Sequence, residues 1–157
     1  MTTTTVARIV LTPRERQVLK GLADGSTLAA VALDLKIREG TAAGYLKLAK
    51  RKLHGVGENA AALAVGYAIE AITRPDLLDP EGLFLPREQR DLVPRIARGL
   101  TAAQMLTELK PRRTIDIIRR DGRELMTNLG AKNRAHTITR AWQYQILTAD
   151  QVITWLR

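Results

Sequence analysis

From Leu11 onward the apolar residues of this chain recur three and four places apart, the interval that lines up one face of an α-helix. Thr12 can cap the first run, Pro13 suits its first turn, and Glu15 completes a capping box with Thr12. Val18, Leu19, Leu22 and Ala23 form the inward stripe, and Asp24-Gly25 ends it. Ser26-Thr27 opens a second, short helix carrying Val31, Ala32 and Leu35. A turn over Lys36 to Gly40 leads to Thr41, read as the cap of a third helix with Ala42, Leu46, Ala49 and Leu53 on one face. After the Gly55-Val56-Gly57 break, a fourth, Ala-rich helix is predicted from about Asn59 to Ile72.

The segment Arg74-Pro75 to Gly82 reads as a linker, and beyond it the pattern returns. Ile96-Ala97-Arg98-Gly99 echoes Leu22-Ala23-Asp24-Gly25 at an offset of 74. Thr101 to Lys110 echoes Thr27 to Lys36. Ile118, Leu125 and Leu129 then match Ala42, Ala49 and Leu53 at an offset of 76, so the turn before the third helix has gained two residues. A fourth helix is expected from about Ala135 to Leu147, and a capped helical extension from Thr148 to Arg157. Two departures stand out. Pro94 interrupts the first helix of the second run and forces a kink, and Gly122 sits opposite Leu46 in the third. The expected architecture is all-α: two tandem four-helix units, 1–73 and 85–157, joined by a Pro-containing linker, 74–84.

Composition supports helices, because 45% of residues are hydrophobic but only 4% aromatic, leaving a core of Leu, Ile, Val and Ala. The net charge of +9 points to a polyanionic partner, nucleic acid before anionic membrane. The excess is uneven: 11 basic and 8 acidic residues lie within 1–80, against 14 and 8 within 81–157. No apolar run approaches the ~18–20 residues that span a bilayer. Met1 to Thr5 is a polar Thr run without a signal-peptide layout, and cysteine is absent, which excludes disulfides and thiolate metal sites. A cytoplasmic, nucleoid-associated protein is expected.

Leu11-Thr12-Pro13-Arg14-Glu15-Arg16-Gln17-Val18-Leu19 resembles the opening of the LuxR/FixJ-type helix-turn-helix DNA-binding domain. Gly25, Val31-Ala32, Leu35, Ile37 and Thr41 fall at that family's helix-two and turn positions, and Arg51-Lys52-Leu53 resembles its end of helix three. Asn128-Leu129-Gly130-Ala131-Lys132-Asn133-Arg134 resembles the passage from helix three into helix four, so the resemblance implies a second, divergent copy. Region 4 of sigma factors has a similar helix-turn-helix. Family members usually carry a sensory domain before the reader; here a second reader-like unit is expected in its place.

The resemblance implies that helix three enters the major groove and reads bases from positions two, three and six after Thr41. These are Ala43, Gly44 and Lys47 in the first unit and Arg119, Arg120 and Arg123 in the second. Arginine suits guanine O6/N7, whereas Ala and Gly side chains carry no donor. Base readout is therefore expected from the second unit, with Arg112, Arg113, Lys47, Lys50 and Arg51 on phosphates. Against this stands a solvated helix face in which Asp116, Asp121 and Glu124 pair with the arginines. Lys50, Arg51 and Lys52 equally read as cations complementing a helix C-terminus. The small residues of the first unit's fourth helix fit either packing within the chain or a homodimer.

Enzyme chemistry is disfavoured. Ser26, the only serine, reads as a helix-start cap, and His54 and His136 lack a carboxylate constellation. Gly55-x-Gly57 is not followed by a phosphate-loop pattern, and Trp142, Tyr144 and Trp155 read as core caps. No cofactor or metal is expected. The leading expectation is a sequence-specific double-stranded DNA-binding transcription regulator without a sensory domain. The alternative is an adaptor for RNA polymerase or another regulator, or a non-specific nucleoid-type DNA binder; the two differ in salt dependence and specificity.

Overall fold

The computed structural model describes residues 9–156, so the Thr run at the start lies outside the described residues. Within them every regular element is helical and no strand occurs. Helix α1 (Pro13–Gly21) starts on the expected capping box: Thr12 Oγ1 accepts from the Glu15 amide, and Glu15 Oε1 accepts from the Thr12 amide at 2.8 Å. Helix α2 (Leu28–Leu35) is capped by Thr27 rather than Ser26. Ser26 instead donates its hydroxyl and amide to Asp24 Oδ1, at 2.6 and 2.9 Å, and these bonds hold the Asp24 carboxyl below its usual pKa. Helix α3 (Glu39–Lys52) begins two residues before Thr41, with Arg38 in the cap position. Thr41 therefore lies within the first turn; a three-residue turn suffices, and Glu39 complements the helix dipole there.

Helix α4 spans Asn59–Ala68, and a 3-10 turn at Pro80–Gly82 lies in the following segment. The first helix of the second run is broken into α5 (Arg87–Arg90) and α6 (Leu92–Ala97). The break falls one turn before Pro94, where the proline ring would meet the preceding carbonyl. Helix α7 (Ala102–Leu109) carries a Thr101–Gln104 capping box. Five residues, against three between α2 and α3, then lead to α8 (Ile115–Leu129), so the two-residue difference lies in this turn. Helices α9 (Arg134–Gln143) and α10 (Ala149–Leu156) complete the fold.

Both α4 and α9 end earlier than their apolar periodicity predicts, and they end alike. Glu70 and Gln145 turn left-handed, at φ 59° and 62°. Ala71 then donates to the Gly66 carbonyl and Ile146 to the Ala141 carbonyl, each at 2.9 Å. Each of these residues lies 75 places from its counterpart.

The core sits where α4 packs on α9. Every residue of α4 from Ala60 to Ala68 is buried, between its own neighbours on one side and α6, α9 and α10 on the other. Small side chains let the helices approach closely, and each fully buried Leu63- or Val65-sized group contributes about 1.5–3 kcal/mol. Tyr67 and Trp142 meet at the centre with ring centroids 5.5 Å apart, and Tyr67 Oη lies 2.9 Å from Thr139 Oγ1. The homodimer reading of α4 thus loses its surface, because the face it needs is used within the chain. The segment that follows α4 is held as well. Leu78 donates to the Gln143 carbonyl at 2.8 Å, and Arg74 caps α4 through the Tyr67 and Ala68 carbonyls while lying 5.2 Å from the centroid of Trp142.

Candidate nucleic-acid interface

Helix α8 starts at Ile115 because Thr114 Oγ1 accepts from the Ile117 amide at 3.2 Å. Its inward stripe is Ile118, Asp121, Leu125 and Leu129, which leaves Arg119, Arg120 and Arg123 exposed on the outer surface. Asp121 is an oddity in that stripe: it is buried, its Oδ1 lies 3.4 Å from Arg120 Nη2, and its Oδ2 has no partner. Arg120 also reaches Glu124 at 4.0 Å, so two carboxylates partly compensate it. Among the described residues, Arg119 and Arg123 form no ion pair, and neither does Asp116. Ion pairing within this face thus involves Arg120 alone.

The two turn arginines separate. Arg112 is exposed, whereas the Arg113 side chain is only 13% exposed. Arg113 donates to the Glu88 carbonyl and to Asp91 Oδ2, each at 3.0 Å, and so ties the lengthened turn back onto the broken first helix. A guanidinium committed in this way fastens the turn and is less free to meet a phosphate than exposed Arg112. Arg87, which helical periodicity alone does not single out, faces the same 410 Å³ cleft as Arg112 and Arg120. The 74-place offset, which puts Arg87 at the start of a broken first helix, is the signal that could have found it.

On α3 the inward stripe is the expected Ala42, Leu46, Ala49 and Leu53. Ala43, Gly44 and Lys47 face outward, and a side chain added at Gly44 would meet nothing within 4 Å. Among the flanking cations, Lys47 and Arg51 are exposed. Lys50 is half-buried and donates to the Gly57 carbonyl at 3.4 Å; burial lowers its pKa from the usual lysine range, with Glu58 opposing. Lys52 is bound to buried Glu15 at 2.7 Å. Only Lys47 and Arg51 of this flank are therefore open to a phosphate.

Each of these two helices follows a short helix and a turn, of three residues before α3 and five before α8; in a helix-turn-helix the later helix is the one presented to DNA. The family model described as "Bacterial regulatory proteins, luxR family" matches residues 9–64, which span α1, α2, α3 and part of α4. Residues 9–64 are thus similar to a luxR-type helix-turn-helix domain. Domains of that family bind DNA in transcription regulators. No curated protein and no solved structure matches the chain. Among the described residues, no helix is long and apolar enough to cross a membrane, and no group of three or more His, Asp or Glu could hold a metal ion.

Proposed function

We propose that the chain is a sequence-specific double-stranded DNA-binding transcription regulator made of two divergent helix-turn-helix units, 1–73 and 85–157, joined by 74–84. Base readout lies mainly on α8, through Arg119, Arg123 and Arg120, with Arg112 on the phosphate backbone. The observation that carries this reading is the state of Arg119 and Arg123: exposed, without ion pairs, on the outer face of the helix that follows the turn. The luxR-type match at 9–64 and the 74- to 76-place echo of that segment support extending its chemistry to α8.

Selection of bound duplexes from a random pool tests the proposal. A regulator of this kind enriches one motif and binds it 10³-fold or more above random DNA at physiological salt. Enrichment of no motif, with only salt-sensitive binding to any duplex, would favour the adaptor or nucleoid reading instead.

A further inference from the structure

We propose that one chain occupies both halves of a single DNA site, as the two chains of a symmetric dimer would, and that only one of those halves is read by base. This rests on the DNA-binding function proposed above.

The contacts between the N-terminal and C-terminal helices are reciprocal. Gly25, at φ +88°, lies against His136, whose counterpart 75 places earlier is Ala61. Ala61 in turn lies against Gly99, the counterpart of Gly25, at φ +79°. Asn133 donates to the Gly25 carbonyl at 3.0 Å, and its counterpart Glu58 stands beside Gly99. Tyr67 and Trp142 are counterparts of one another, and they meet each other in the middle of the α4–α9 contact. Position i meeting j while j meets i, with one position meeting itself on the axis, is the signature of a two-fold interface. Here the two-fold is internal to one chain.

A two-fold that relates α4 to α9 also relates α3 to α8, since each is fixed to its own fourth helix by the same kind of core. Paired helices of this kind address half-sites about one helical turn, ~10 base pairs, or a multiple of it apart. The chain needs no second copy for this, and α4 has no face left for one. The two halves cannot be read equally. Arg119, Arg120 and Arg123 bring three guanidinium donors to one, whereas Ala43 and Gly44 bring none to the other, where Lys47, the counterpart of Arg123, is assigned with Arg51 to phosphates.

The test uses the full chain on its selected duplex. Sedimentation of the saturated complex should give one chain per duplex. Trimming the duplex from the side away from the base-read half should weaken binding about tenfold whatever sequence is removed. It should also reduce the slope of log K against log salt by about 1.8, since roughly 0.9 is expected per phosphate contact. The Lys47→Ala/Arg51→Ala double variant should show the same loss on the full duplex and no further loss on the trimmed one. Two chains per duplex, or a trimmed duplex bound as tightly as the full one, overturns the internal-dimer proposal and leaves base reading by α8 standing. Failure to prefer any duplex overturns that underlying reading and this proposal with it.

Discussion

Between the first helix and the end of the third, the two halves of the molecule make the same tether from different chemistry. In the N-terminal half buried Glu15 takes the Lys52 ammonium at 2.7 Å. In the C-terminal half buried Gln89 takes the Asn128 amide at 2.6 Å and donates to Glu124 at 3.3 Å. The partners correspond at offsets of 74 and 76, the two-residue gain of the intervening turn. One position keeps its role while its charge is lost. The outward faces diverge in the opposite sense: the neutral Ala43 and Gly44 stand opposite the cationic Arg119 and Arg120. The scaffold thus tolerates exchange of charge both inside and outside, and the two halves differ in where their charges lie.

The two halves differ most visibly at their outward faces. Arg123→Ala should weaken binding to the selected duplex by about 1–3 kcal/mol and relax preference at one base pair, as read by titration against single-base variants. Lys47→Ala should weaken all duplexes about equally and lower the salt slope by about one. If the two variants behave alike, the halves are equivalent readers.

The reciprocal glycines differ in how closely they are packed. Gly25→Ala must place a Cβ 3.0 Å from Lys132 Cβ while holding φ +88°. At Gly99 the nearest atoms lie 3.5 Å or more away, so only the backbone strain remains. Thermal unfolding should show about 2–3 kcal/mol lost for Gly25→Ala and about 1 kcal/mol for Gly99→Ala.

The tethers give the pH test. Burial alone would raise the Glu15 carboxyl, but hydrogen bonds from Lys52 and Thr12 outweigh it and hold the pKa below its usual value. Folded Glu15 therefore binds its proton less readily than the unfolded chain. Its contribution is full above the usual glutamate range and fades as pH falls through it. Glu15→Gln, which imitates Gln89, should cost about 1 kcal/mol at pH 7, since Lys52 is partly exposed, and should flatten the acid side of the stability curve. Gln89→Glu should do the reverse. It sets a carboxylate beside Glu124, so stability drops at neutral pH and recovers on acidification.

The smallest effect is at Gly44, an exposed helix-interior glycine with open space around it. Gly44→Ala should raise stability by roughly 0.5–1 kcal/mol without changing base preference, because alanine adds helix propensity but no donor.

Much of this architecture is written in local signals. The Thr12–Glu15 capping box, the inward stripe Ala42–Leu46–Ala49–Leu53 and the lengthened turn before α8 follow from spacing and capping chemistry alone. What spacing hides is set by distant partners. Arg113 turns inward because Asp91, 22 residues earlier, waits for it, and Lys50 folds back on Gly57. Helices α4 and α9 stop at Ala68 and Gln143 although apolar residues continue, since Glu70 and Gln145 adopt a left-handed conformation that neither side chain announces. The Ala-rich run of α4 shows that something packs closely on it; only the assembled chain shows that the occupant is its own C-terminal half.

If one chain spans two half-sites and reads bases in only one, base changes in the two halves have unequal effects. Substituting every base pair across the selected duplex, one at a time, and measuring affinity for each tests it most directly. Sensitive positions should be confined to one half of the protected region and should be lost in the Arg119→Ala/Arg123→Ala variant. Equal sensitivity in both halves, or a profile unchanged by that variant, would contradict it.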